Sequence, residues 1–183
     1  PMPMVNILSG GAHANRSLDI QDVLVIPIGA TNFAQALSWI SSIREIASAK
    51  GRELGQITHL VADEGGLGMK FPSIAGACEF VISCIKDSGL TPGADVSLAL
   101  DFAATQFFES GEYNLKSEGR CLQQSDYIQY VTTLVNELPI VSIEDPFAED
   151  DWESWQIFKK SAPSRLQILG DDLFTTNLQR LER

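Results

Sequence analysis

Three carboxylates stand at the ends of three short apolar runs. Val96-Ser-Leu-Ala-Leu100 stops on Asp101, Ile140-Val-Ser-Ile143 stops on Glu144, and Leu166-Gln-Ile-Leu169 passes through Gly170 to Asp171. Such runs read as buried strands, and strands that each end on an acid place those acids on one rim of a parallel sheet or barrel, where α/β barrels carry their chemistry. Acids gathered there without a neighbouring Lys or Arg repel one another unless a cation sits among them. Donors that are all oxygen select a hard divalent ion, Mg²⁺ first. The competing reading gives each acid a structural role on a neighbouring loop, and three at corresponding positions strain it.

Two glycine-rich segments supply further candidates. Ser9-Gly10-Gly11-Ala12-His13 is suited to bring backbone and an imidazole close to a ligand, although a glycine turn with a surface His has the same spelling. His59-Leu-Val-Ala62 reads as a short strand running into Asp63-Glu64-Gly65-Gly66. An acid on a flexible loop suits general acid-base work, because the loop can close around it, and Glu64 is the candidate. The segment is no phosphate-binding loop: no Gly-Lys-Ser/Thr follows, and adjacent carboxylates repel phosphate. Gln21-Asp22 interrupts the apolar run Leu18–Ile28. Buried, the pair needs partners; it faces either a polar site or the solvent side of a sheet edge.

The elements that must hold these residues follow from periodicity. Thr31 reads as the N-cap of a helix that runs to about Lys50, ends at Gly51, and buries Phe33, Leu37, Ile40, Ile43 and Ala47. A second helix, capped by Ser73, turns Ile74, Ala77, Val81, Cys84 and Ile85 inward. Gly111–Leu115 alternates like a small hairpin. A third helix from Ser125 carries Ile128, Val131, Leu134, Val135 and Leu138 and is stopped by Pro139. A fourth, from about Asp150, puts Trp152, Trp155 and Phe158 on one face as core, and a last helical segment starts at Asn177. The strand–helix alternation is that of a parallel barrel or open sheet.

At 183 residues the chain holds one sizeable core, and no linker or repeat divides it. A net charge of −11 argues against nucleic acid, whose phosphates need a basic face. Cys78, Cys84 and Cys121 lack a CxxC spacing and read as free thiols in a reducing compartment, the first two buried. The apolar runs are too short for a bilayer, so no membrane role is expected.

Five segments carry a resemblance to the enolase family, the phosphopyruvate hydratases: Asn6-Ile-Leu-Ser-Gly-Gly-Ala-His13, Asp63-Glu-Gly-Gly66, Leu100-Asp-Phe-Ala-Ala104, Pro139 to Trp152, and Gly170-Asp-Asp-Leu-Phe-Thr-Thr-Asn177. They occur in the family's order and span nearly the whole chain. The resemblance implies a partial (β/α)8 TIM-type barrel with an irregular ββαα start followed by βα units, residues 1–183 belonging to the C-terminal catalytic domain. An N-terminal lid domain and the last βα units, with the lysine base, would lie outside these residues, leaving the isolated stretch inactive and its sheet edges open. It implies Mg²⁺-dependent dehydration of 2-phosphoglycerate in a cytoplasmic homodimer. Asp101, Glu144 and Asp171 match the ligands of the Mg²⁺ that holds the substrate carboxylate. Glu64 matches the acid that assists hydroxyl departure, and His13 and Asp22 match substrate-contacting positions. Asp22 stands where the family has Glu, Ala62 where it has Gly, Phe102 where it has a smaller residue, and the 67–72 loop differs. Two alternatives remain open: a related metal-dependent dehydratase or racemase, although the Lys-x-Lys base motif of those enzymes is missing, and a non-catalytic enolase-like binding protein.

Overall fold

The computed structural model describes residues 1–183. Eight strands form in chain order: β1 (Val5–Ser9), β2 (Asp22–Ile26), β3 (Ser97–Asp101), β4 (Phe108–Glu109), β5 (Glu112–Leu115), β6 (Arg120–Gln123), β7 (Ile140–Glu144) and β8 (Gln167–Leu169). The helices are α1 (Phe33–Glu53), α2 (Ile74–Asp87), α3 (Gln124–Glu137), α4 (Trp152–Ser161) and α5 (Leu178–Leu181). The apolar runs build one sheet in the order β1-β2-β3-β7-β8. β1, β2 and β3 are antiparallel neighbours, whereas β3, β7 and β8 run parallel. This is the irregular ββαα start followed by βα units, and the sheet does not close into a barrel.

β3 is the centre of that sheet, with Leu98, Ala99 and Leu100 buried. Both of its neighbours bury their side chains too: Val23 and Val25 from β2, Ile140 and Ile143 from β7. α1 and α2 pack together over the first half. Over the second half, α3 and α4 enclose an aromatic cluster in which Tyr113 stacks on Tyr127 at 3.9 Å and Phe147 meets Phe158 edge-on at 5.3 Å. Aromatic pairs of this kind add to plain area burial. β1 is one edge, but Leu67 closes part of it: Ser9 N–H donates to Leu67 and Leu67 N–H to Ile7.

Several expectations shift by local competition. Asn32, not Thr31, caps α1, its Oδ1 accepting the Gln35 N–H at 2.9 Å, while Thr31 donates to the Gln35 side chain instead. α1 runs past Gly51 to Glu53, so this glycine serves packing and not termination: it lies against Thr58 and Met69, where a Cβ would approach to 2.6 Å. Phe33 and Leu37 are exposed; Ala36, with Ile40, Ile43 and Ala47, makes the buried face. His59–Ala62 forms no strand, only a single bridge from Val61 to Leu67, and Leu60 and Val61 are exposed. The hairpin is a three-stranded sheet, β4-β5-β6. α3 starts at Gln124, and α4 at Trp152 after Asp151 as its cap. Ile128 and Leu138 are half-buried on α3, while Tyr127 joins its buried face. Trp152 is half-buried under Arg180 and Arg183 rather than in the core. Cys78 and Cys84 are buried free thiols and Cys121 is exposed.

Candidate functional site

Strand register draws the acids into a line. Ser9 pairs with Asp22, Asp22 with Asp101, Asp101 with Glu144, and Glu144 with Leu169, two residues before Asp171. β2 runs against its neighbours, so it contributes its first residue to the rim where β1, β3 and β7 end. Asp22 therefore faces the site side of the sheet and not solvent, at 1% exposure.

Hydrogen bonds then separate these acids. Asp22 accepts from Ser9 Oγ at 2.5 Å through Oδ1, while its Oδ2 is buried without a partner. Burial raises the Asp22 carboxyl to about 7; the Ser9 hydrogen bond opposes the rise and Glu64 adds to it. Asp101 accepts from Gln21 Nε2 at 3.0 Å and from its own loop, Ala103 N–H, at 3.1 Å. Burial and then the charge of Glu144 raise Asp101 to about 8. Glu144 is pushed up as well, first by burial and then by Asp145 and Asp171. Asp171 is exposed on the loop beyond β8.

Two loops adjoin the Asp22 end of this row. His13 lies in a 3-10 turn, Ala12–Ala14, between two left-handed residues, Gly11 and Asn15. Glu64 lies in the turn Asp63–Gly65 with φ 65°, an uncommon backbone for a residue other than glycine and one found most often at working sites. Asn6 Nδ2 holds Glu64 Oε2 at 3.1 Å, and Glu64 Oε1 lies 3.7 Å from the unpartnered His13 Nδ1. Gly66 must be glycine, since a Cβ there would meet Ser9 Oγ at 2.1 Å. That close approach seats the Glu64 turn on the end of β1.

Donor atoms of His13, Asp22 and Glu64 all lie within 4.8 Å of one another, a geometry able to hold a metal ion. Asp101, Glu144 and Asp171 are not drawn in that tightly. Asp101 is tethered by Gln21 and Ala103. The rim still fits a hard cation. Its donors are carboxylate oxygens, Asp22 keeps a buried oxygen unpaired, and the groups acting most strongly on Asp101 are other acids.

Sequence reasoning named Asp101, Glu144, Asp171, Glu64, His13 and Asp22 as candidates, and the fold brings all but the exposed Asp171 loop onto adjoining strand ends and turns. It gave no role to Ser9, Asn6, Gln106 or Asp145, which hydrogen-bond to these residues or to the loops that carry them. Asp145 had a legible signal, an acid between Glu144 and Pro146; Gln106 had none.

A sheet of this topology, with its acids gathered at the strand ends, is that of an α/β barrel-type domain. The chain belongs to the family of the enolase C-terminal TIM barrel domain, whose model matches residues 1–183.

Proposed function

We propose that the protein dehydrates 2-phosphoglycerate to phosphoenolpyruvate and water with Mg²⁺. The observation that supports this reading best is the convergence of two sets of groups: an in-register row of acids, Asp22 buried and Asp101 and Glu144 half-buried, and Glu64 with His13 on loops whose donor atoms gather around Asp22 at the end of that row. Asp101, Glu144 and Asp171 would hold the ion. When bound, it neutralises the substrate carboxylate and the charge that develops as the adjacent carbon loses its proton.

The chain's own residues do the rest. Asn6 fixes Glu64 by one oxygen and leaves the other facing His13, where Glu64 delivers a proton to the departing hydroxyl. His13 contacts the substrate from the glycine loop. Asp22, shorter than Glu by one methylene and drawn toward Ser9, reaches less far toward the substrate. By the same reading the protein works in the cytoplasm as a homodimer. No helix is long and apolar enough to cross a membrane.

The test is phosphoenolpyruvate formation followed by its ultraviolet absorbance in the intact protein, with Mg²⁺ and with chelator. Metal-dependent turnover that falls at least 100-fold in Glu64→Gln, the lower end for loss of a general acid, supports the proposal. A folded, Mg²⁺-binding protein without turnover would favour the non-catalytic reading or another dehydratase of the superfamily.

A further inference from the structure

Gln106 lies in the turn after β3, in a 3-10 segment (Ala104–Phe107) outside the acidic rim. Its side-chain amide is used at both ends. Oε1 accepts the N–H of Ala12, the residue before His13, at 3.0 Å. Nε2 donates to Gln21 Oε1 at 3.0 Å. With its oxygen thus occupied, Gln21 can turn only its NH₂ toward Asp101, and it donates to Asp101 Oδ2 at 3.0 Å. An amide has a donor end and an acceptor end, so the direction of the first bond dictates the direction of the second. Gly11 makes room for the contact: a Cβ there would already stand 3.0 Å from Gln106 Oε1.

We propose that Gln106 is a positioning residue that sets the polarity of the Gln21 amide, so that Asp101 is oriented as a metal ligand while the His13 loop is held to the same point. The inference rests on the reading of Asp101 as a ligand of the divalent ion. Gln106 bonds to none of Asp101, Glu144 and Asp171, and it acts through Gln21. Outer partners that orient a ligand govern metal affinity well beyond their own distance. Two substitutions separate the effects. Gln106→Glu keeps an oxygen for Ala12 N–H but cannot donate to Gln21, which then turns its NH₂ to residue 106 and its oxygen against Asp101. Gln106→Met removes both bonds. Gln106 is exposed, so neither change opens a hole in the core.

The experiment is Mn²⁺ titration of the intact protein by electron paramagnetic resonance, with thermal melting of the metal-free form beside it. Mn²⁺ affinity is expected to fall roughly tenfold in Gln106→Glu and less in Gln106→Met, with melting unchanged. In a Gln21→Met background the Gln106 substitutions should have no further effect, which a merely structural role would not produce. Affinity lost in Asp101→Asn but unchanged in both Gln106 variants would overturn this inference alone. Affinity unmoved by Asp101→Asn would overturn the metal reading and the inference with it.

Discussion

Glu144 and Asp145 are neighbours at the end of β7, and the fold treats their carboxylates in opposite ways. Asp145, 3% exposed, accepts three backbone N–H groups: Leu173 on Oδ1, Asp171 and Asp172 on Oδ2. Its backbone, at φ 41°, receives Ala104 N–H from the β3 loop and donates to Leu169 of β8. The residue therefore ties three strand ends together. Glu144, one residue earlier, is left to its repulsion with Asp145 and Asp171. Asp151 repeats the first pattern, accepting from Tyr113 OH, Gln124 Nε2 and Ser154 N–H. Asp22, with an unpaired buried oxygen, repeats the second. An acid whose oxygens are saturated by donors is built for the fold. One starved of donors in a buried place is available for chemistry.

The largest expected effect falls on the saturated side. Asp145→Ala leaves three backbone donors without their acceptor and should cost about 3 kcal/mol or more in denaturant unfolding, at roughly 1–3 kcal/mol for each stranded group. Glu144→Gln, one position away, should leave stability unchanged or raise it, since it removes repulsion. If the two cost the same, the distinction between them fails. Next in size, Tyr113→Phe removes the 2.6 Å bond to Asp151 and the acceptor of Ala148 N–H, with an expected loss of about 1–3 kcal/mol by thermal melting.

The two rim acids raised furthest, Asp22 and Asp101, should announce themselves through pH. Asp22 and Asp101 have folded values of about 7 and about 8 against an ordinary 3.8, so the folded state binds their protons more tightly than the unfolded chain. Their contribution to stability is complete below about 4 and is lost as the pH rises through 7 and then 8. Metal-free protein should melt progressively lower across that interval. Mg²⁺ should flatten the profile, because it favours the ionised acids. An unchanged profile in Asp101→Asn would show that the strain lies elsewhere. The smallest effect is expected far from both acid classes: Leu37→Gln on the exposed face of α1 should stay within about 0.5 kcal/mol.

The contrast also shows what was legible in the sequence. Strands ending on acids spelled out the rim, because burial forces β-branched and aliphatic runs and a carboxylate breaks them visibly. The loop acids were found through glycines that the backbone needs there. What stayed hidden was partnership. Whether Asp22 met solvent or the site depended on β2 running antiparallel, which no local pattern encodes. Glu144 and Asp145 are adjacent acids at one strand end, and only the return of the chain after β8 saturates the second and not the first. Phe33 and Leu37 have helical spacing yet face solvent, since periodicity names a face without fixing where the neighbouring helix covers it. His59–Ala62 has a strand's composition but lies beyond the edge that Leu67 already closes.

The measurement that bears most directly on this account is a calorimetric titration of Mg²⁺ into the intact protein and its Glu144→Gln variant, both checked for equal melting. Binding in the parent protein and its loss in Glu144→Gln, with the fold intact, is the expected result. Equal binding by both would contradict the assignment of the rim around Glu144 as the metal site.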